Sequence, residues 1–580
     1  MVQSDQRRPS YRFDDVVVDS DLFRVLKRGQ PKTLEPRAFG LLIYLIEHRD
    51  HVVEKQELFD QVWKESFVTD NALAQEIMNI RHALGDEAAN PRYIQTVRKH
   101  GYRFVADVIE GSDAVGSVDS QPSVAVLPFA NLSNAAENEY FCDGLAEELI
   151  NALAKVKDLR VVARTSAFSF KHQQLDVREI GRRLKAAAVL EGSVQRTGNQ
   201  LRILTQLINS ADGYHLWSER FDRERDDIFA IQDEITSAII EKLSVKVLAT
   251  DKPALLKRHT ESVEAYHLYL KGRYFWNKRF APGALEKALE YFQQAIGMDP
   301  RYGPAYSGVA DCYNLQGLFL FYAPNRAFPR AIAAAEKALE IDNTLAEAHA
   351  SLAYTRLIYA WDWHGAEDEF KEAIRLNPSY AFGHLWYAQY LCAMSRFDEA
   401  IIEAKRAQES EPISLGINAN VGLVLYWARE YGQAVEQLEK TLELDPKFGL
   451  ASVYLAFVLI QQGRYDEAIA AIQKSVEQTG YMPFAISHLG FAYSLRGDKA
   501  RARKVLREAE AHFHEPGFAS TELGLIHAGL GDHDKFFEYL YRAYEEHSPV
   551  LAWLKIYPEY DAMRSDPRYD ELLRRLNLAP

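Results

Sequence analysis

RLNP at residues 375–378, ESEP at 409–412 and ELDP at 443–446 set Pro378, Pro412 and Pro446 34 residues apart, each behind a polar or acidic residue that closes an apolar helical stretch. Proline cannot continue the hydrogen-bond ladder of a helix, so each marks a helix end, and the constant interval marks a repeated unit. Upstream, MDP at Pro300 and IDN at Asn343 hold the same place with insertions between them. Alanine pairs seven apart precede these stops: Ala288 and Ala295, Ala366 and Ala373, Ala400 and Ala407. Small residues at that spacing let two helices approach closely. Gly422, Ala456 and Gly490 mark the matching contact on the first helix of later units.

The period and these residues closely resemble the tetratricopeptide repeat. The resemblance implies an all-α solenoid over 260–580, with about eight helix pairs between 264 and 546 and a capping helix at 566–576. In that fold the first helix of each pair lines the concave face. Registering the motif puts Tyr269, Arg273, Trp276, Tyr354, Leu357, Gln389, Leu423, Tyr426, Trp427, Phe457 and Phe491 there. The Lys, Arg and Asn with which such grooves clamp a terminal carboxylate are nearly absent. An aromatic-rich face suits an amphipathic helix or extended segment of a protein partner. The alternative is that this chain's own C-terminal helix or its preceding domain fills the groove, which would make these residues core.

Residues 10–107 differ in kind. The strand-like segments YRFDDVVVD and LFRVLKRG come first, followed by amphipathic helices at 36–48, 54–63 and 70–84. Thr69 or Asp70 caps the third helix and Gly85 stops it. Leu73, Ile77, Ile80 and Leu84 form its buried stripe, which leaves Asn71, Gln75, Met78, Asn79 and His82, with Arg81 beside them, facing out. Most of these side chains can reach base edges and phosphates. Next comes YIQTVRKHGYRFVA, two strands joined by a basic turn ending in Gly101.

LEPRAFGLLIYLIEHRDHVVEKQELFDQVW, IRHALGD and YIQTVRKHGYRF together resemble the OmpR/PhoB-type winged helix of bacterial transcription regulators. The resemblance implies a DNA-binding domain over 1–109. Its third helix would enter the major groove with residues 71–81, its wing would carry Arg98 into the minor groove, and Thr96 and Lys99 would meet phosphate. Met78 and Asn79 stand where the family often has arginine, so one domain alone is expected to bind weakly.

A linker is expected at 110–122, where EGSDAVGSVDSQP replaces periodic apolar residues. Residues 123–250 then read as an α/β domain: strand SVAVLPF, helix GLAEELINALAKV, strand LRVVAR, helix VREIGRRLKA, a hairpin AAVLEGSVQRTGNQLRILTQLIN and a last helix IFAIQDEITSAIIEKL. VAVLPF, DGLAEELI, LEGSVQR and LWSERFD resemble the TolB-N-terminal-like domain. Asp143 and Gly144 are expected to open a helix, as a cap or an anion site. The fold class is thus multidomain: an α+β winged helix, an α/β sandwich-like domain and an all-α repeat solenoid.

The net charge of −14 argues against nucleic acid only if it is uniform. Residues 1–107 hold 16 Lys and Arg against 17 Asp and Glu, so the acidity lies downstream, and 90–106 carry Arg92, Arg98, Lys99 and Arg103 with no carboxylate. Cys142, Cys312 and Cys392 stand singly and are expected to be packed thiols. His512 and His514 lack a third ligand by sequence and read as solvated, so no metal is expected. The sequence shows neither a phosphate-binding glycine loop nor a nucleophile elbow nor a zinc-protease motif, so neither catalysis nor a cofactor is expected. No apolar run reaches the ~20 residues of a membrane span. The polar start MVQSDQRRPS makes the cytoplasm the expected address.

Two functions stay open. One is a transcription regulator whose winged helix binds double-stranded DNA while its α/β and repeat domains sense or recruit a cytoplasmic partner. It resembles CadC-like regulators without their membrane span. The other is a repeat scaffold in which the winged helix is a protein-docking module. No motif fixes the oligomeric state.

Overall fold

The computed structural model describes residues 10–14, 16–19, 24–27, 30–32, 34, 36–62, 70–86, 88, 91–97, 100–106, 108–111, 122–133, 138–154, 156, 159–171, 173, 175–224, 228–243, 258–279, 281, 283–319, 321–479, 482–512 and 520–578. The chain divides into two compact units, Met1–Ser120 and Gln121–Pro580.

In the first unit, strands β1 (Ser10–Phe13), β2 (Val16–Asp19), β3 (Arg24–Lys27) and β4 (Gln30–Lys32) form an antiparallel meander. Helix α1 (Pro36–Glu47), strand β5 (Val53–Glu54), helices α2 (Lys55–Val62) and α3 (Asp70–Leu84), and strands β6 (Ile94–Val97), β7 (Gly101–Phe104) and β8 (Ile109–Gly111) follow. Apolar alternation sends Tyr11, Phe13, Val16, Val18 and Val25 into one core with Ala38, Leu42 and Leu45 of α1 and the stripe Leu73, Ile77, Ile80 and Leu84 of α3. The expected linker begins late: Glu110 and Gly111 belong to β8 and pair with Tyr11 and Ser10 of β1. Backbone pairing at a sheet edge needs no apolar side chain, so composition alone hid this strand. Residues 112–121 lie outside the described residues.

The second unit opens with the α/β domain: β9 (Ser123–Val126), β10 (Ala130–Asn131), α4 (Glu139–Ala154), β11 (Arg160–Val161), α5 (Arg164–Phe168), α6 (Val177–Leu184), β12 (Ala188–Thr197), β13 (Gln200–Asn209), β14 (His215–Glu224) and α7 (Ile228–Lys242). The sheet order is β11-β9-β12-β13-β14, with β10 beside β12. Val124 and Val126 of β9 face α4 and α7, while Ala125 faces α5 and α6, so the run VAV is apolar because both sides are covered. Strand β14 was not anticipated. Only Phe221 of its ten residues is buried, so it lacks an alternating apolar signal.

The repeats run as eight helix pairs among the described residues, from Val263–Trp276 with Ala284–Met298 to Ser520–Leu530 with His533–Glu545. First helices begin at Ala381, Leu415 and Gly449, which keeps the 34-residue period. The six motif alanines are fully buried. At Gly422 a Cβ would come within 2.5 Å of Leu438 Cγ of the second helix, so the close crossing requires glycine. Two 3-10 turns, Pro549–Trp553 and Pro558–Met563, and the short helix Pro567–Arg575 end the chain.

Candidate nucleic-acid interface and repeat groove

The apolar stripe of α3 fixes which of its faces meets solvent. Gln75, Asn79 and His82 are exposed, and Met78, at 56 % exposure, is among the most exposed large apolar side chains. Gln75 Nε2 donates to Asn79 Oδ1 (3.3 Å) and Asn79 Nδ2 to Glu76 Oε2 (3.2 Å), so the polar groups hold one another along the helix surface. Weak exposed bonds of this kind exchange readily for base edges. Thr96 is exposed on the neighbouring wing strand β6. Arg98 and Lys99, and the side chain of Asn71, lie outside the described residues.

Arg81 departs from the expected role. Its guanidinium donates to Ile94 O (2.7 Å) and Thr96 Oγ1 (2.9 Å) and lies 3.8 Å from the Asp86 carboxylate, with only 12 % of the side chain exposed. Arg81 thus ties the recognition helix to the wing rather than reaching outward. Sequence reasoning missed Asp86, whose buried carboxylate accepts from the backbone N–H groups of Arg92 (2.6 Å), Tyr93 (3.3 Å) and Ile94 (2.9 Å). Its position directly after the helix-ending Gly85 was the available signal.

The expectation for Asp143 and Gly144 is also corrected. Helix α4 starts at Glu139, so both residues lie inside it, buried. Asp143 accepts from Lys171 Nζ (2.6 Å), and a Cβ on Gly144 would come within 2.7 Å of Leu270 Cδ2. The pair serves the packing of α4 against the first repeat helix. Alongside, the buried Glu147 carboxylate meets Arg273 Nε (2.6 Å), Arg164 Nε (2.8 Å) and Asn277 Nδ2 (3.1 Å). Burial opposes its charge, but the two guanidinium groups outweigh burial and hold its carboxyl below the usual range.

The open partner groove predicted from sequence is not present. Tyr269, Trp276, Tyr354, Leu357, Gln389, Leu423, Tyr426, Trp427, Phe457 and Phe491 are all buried, and Arg273 is engaged by Glu147. The chain's own C-terminal segment fills the middle of the concave face. Trp553 stacks on Trp427 with centroids 5.4 Å apart, and its Nε1 donates to Gln389 O (3.0 Å). Glu559 accepts from the Tyr426 hydroxyl and sits 3.2 Å from His488 Nε2, while His488 stacks on Phe457 at 3.7 Å. Arg429 grips Asp561 through two bonds of 2.7 and 2.8 Å, and Trp363 Nε1 donates to Leu576 O (2.9 Å). The α/β domain covers the early repeats instead. The aromatic run LAWLKIYPEY at 551–560, beyond the last repeat, was the sign of this occupant.

Where the α/β domain meets the repeats a cavity of about 180 Å³ remains, lined by Glu148 and Phe229 from one side and Tyr269, Tyr302, Asp311 and Tyr380 from the other. Ser307 Oγ, buried in its wall, has no hydrogen-bond partner among the described residues. Cys142, Cys312 and Cys392 are buried free thiols, and burial pushes Cys142 up to about 12. No group of three metal-ligating side chains forms among the described residues, where His512 is half-buried; His514 lies outside them. No helix of the described residues is long and apolar enough to cross a membrane.

Residues 29–104 match the family described as "Transcriptional regulatory protein, C terminal", residues 120–238 "HilA/YgeH-like transcriptional regulator, second domain", and residues 428–480 and 492–549 two tetratricopeptide-repeat families. The chain therefore has the modular build of a transcriptional regulator: an OmpR/PhoB-type winged helix, a middle domain and C-terminal tetratricopeptide repeats. That middle domain, read from sequence as TolB-N-terminal-like, is HilA-like. Transcriptional regulator HilA of Salmonella typhimurium is 23 % identical over 434 residues, 73 % of this chain and 74 % of that protein. Transcriptional activator CadC of Escherichia coli is 35 % identical over 125 residues, 21 % of this chain and 24 % of that one. A protein named "Putative adenylate cyclase 3" from Rhizobium meliloti is 35 % identical over 290 residues, 48 % of this chain, and the match spans 42 % of its length.

Proposed function

We propose that the chain is a sequence-specific DNA-binding transcription regulator of the cytoplasm, and that its α/β and repeat domains together receive a signal or recruit a protein. The observation that carries this reading is the outward row Gln75, Met78, Asn79 and His82 on a helix whose other face is locked into the winged-helix core. Amide and imidazole groups in such a row suit base edges in the major groove, and the wing contacts anchor the backbone. Arg98, Lys99 and Thr96 are assigned to the wing contacts and Asn71 to the helix. Arg81 positions both elements.

The same reading makes the chain a regulator rather than an enzyme. Its buried ion pairs, such as Glu147 with Arg273 and Arg164, join packed elements to one another. The cavity at the domain junction supports reception of a small ligand, and the repeats support a protein partner bound elsewhere than on the occupied concave face. Selection of bound sequences from a random DNA pool, followed by titration at several salt concentrations, tests the proposal. A defined motif with a steep salt dependence is expected. A scaffold would enrich no motif above non-specific binding.

A further inference from the structure

Strand β14 closes one side of the six-stranded sheet and pairs only with β13 among the described residues. A ten-residue edge strand with one side unpaired templates the addition of another strand, and proteins normally blunt such an edge with proline, a bulge or inward charge. Residues 218–224 carry no proline, and the register shift against β13 lies outside them, at the Ile208 end; Glu219 and Arg223 lie on the face of the buried Phe221, and Arg223 sits 3.9 Å from Glu234 of α7. The side chains of 218–224 other than Phe221 are exposed.

The order of charges along this edge is self-complementary when reversed, each charge facing its opposite about Phe221: Glu219, Arg220, Phe221, Asp222, Arg223. Two copies of one edge can pair only antiparallel, about a two-fold axis normal to the sheet, and the pleat then requires opposed residues to share a face. Centring the axis on Phe221 sets Glu219 against Arg223 and Arg220 against Asp222, each twice by symmetry. Shifting the centre by one residue either way sets Arg220 against Arg220 or Asp222 against Asp222, and shifting it by two toward the N-terminus sets Glu219 against Glu219. Like charges directly opposite destabilise strand pairing, whereas opposite charges and aromatic pairs support it. Asp222 already meets Arg202 (2.5 Å) and Arg220 (3.0 Å) on the outer face, so the charge needed there is held in place by its neighbours.

We propose that β14 is a homodimerisation edge, and that its occupant is β14 of a second copy of this chain, paired antiparallel about Phe221 to continue the sheet across the two subunits. The dimer brings two winged helices to one assembly, the arrangement that two-half-site operators require.

Sedimentation equilibrium of the full chain tests this with two charge reversals on exposed side chains. The unchanged protein is expected to be dimeric, dissociating on dilution. Glu219→Arg alone and Arg223→Glu alone each place like charges opposite one another twice, and each is expected to weaken the dimer on the order of tenfold or more. Glu219→Arg together with Arg223→Glu restores complementarity and should restore the dimer. Mixing the two single variants should yield heterodimers, because one edge is then wholly basic and the other wholly acidic at these positions. A monomeric unchanged protein, single variants that dimerise normally, or a double variant and mixture that stay monomeric would each overturn the proposal. Circular dichroism confirms that every variant is folded before it is scored.

Discussion

Trp427, on the first helix of the fifth pair, and Trp553, in the 3-10 turn after the last pair, lie face to face at 5.4 Å with their planes 18° apart. Both rings are nearly inaccessible, and Trp427 also meets Tyr557 edge-on at 6.1 Å. The stack locks the C-terminal segment to the middle of the solenoid. Trp553→Ala should therefore cost about 3–5 kcal/mol, as expected for an aromatic ring removed from a packed core. Tyr426→Ala with Trp427→Ala should also lower the melting temperature strongly, with or without any added protein. Thermal unfolding checks both. An unchanged melting temperature would restore the open-groove reading.

The recognition helix separates two kinds of polar residue that sequence placed together. Asn79 is exposed and, among the described residues, bonded to its helix neighbours Gln75 and Glu76, so Asn79→Ala should leave the fold intact and relax preference at about one base pair, costing roughly 1–3 kcal/mol on the preferred site. Arg81→Ala should instead lower the stability of the winged-helix unit and weaken all DNA sequences alike, because it removes the tie to Ile94 and Thr96. Affinities for a set of single-base operator variants distinguish the two. A selective change from Arg81→Ala would return that residue to the base-reading set.

This division shows what local pattern can and cannot carry. The helix stripe at Leu73, Ile77, Ile80 and Leu84, and the proline stops 34 residues apart, were legible because each is set by neighbours within one or two turns or by a repeated unit. The inward turn of Arg81 was only half legible: a helical wheel sets it about 100° from His82 and beside the buried stripe, but does not say what it meets there. Its direction is fixed by a strand that arrives 13 residues later. The register that placed Tyr426 and Trp427 on first helices was sound, but the segment that covers them comes from the far end of the chain. Strand β14 escaped notice because an exposed edge satisfies its backbone on one side only and asks little of its side chains.

For the wing, the family resemblance assigns Arg98 to the minor groove. Arg98→Ala should lower affinity while leaving major-groove preference unchanged, and should reduce the slope of log affinity against log salt by about one unit. Fluorescence anisotropy across a salt series measures it. An unaltered slope would remove Arg98 from the phosphate-neutralising set.

Asp311 supplies a prediction about acid. It is 3 % exposed, accepts a hydrogen bond from Ser351 and lines the cavity between the α/β domain and the repeats. Burial raises its carboxyl from the ordinary 3.8 to about 6, partly opposed by the Ser351 hydroxyl and the Arg273 charge. A folded value above the unfolded one means that the native state holds a proton the unfolded chain has lost between about pH 4 and 6, so this group favours folding more as the pH falls through that window. Above pH 6 the cost of the buried charge is fully present, and two pKa units correspond to about 3 kcal/mol as an upper bound. Asp311→Asn keeps an acceptor for Ser351 and removes the charge. It should stabilise the protein by up to about 3 kcal/mol at pH 7.5, and by about half as much at pH 5, where the unfolded carboxyl is ionised and the native one is not. Urea unfolding at the two pH values reads the difference. Destabilisation by Asp311→Asn at pH 7.5 would mean that attraction to Arg273 outweighs burial, and would assign the carboxylate a structural charge pair in place of a strained one.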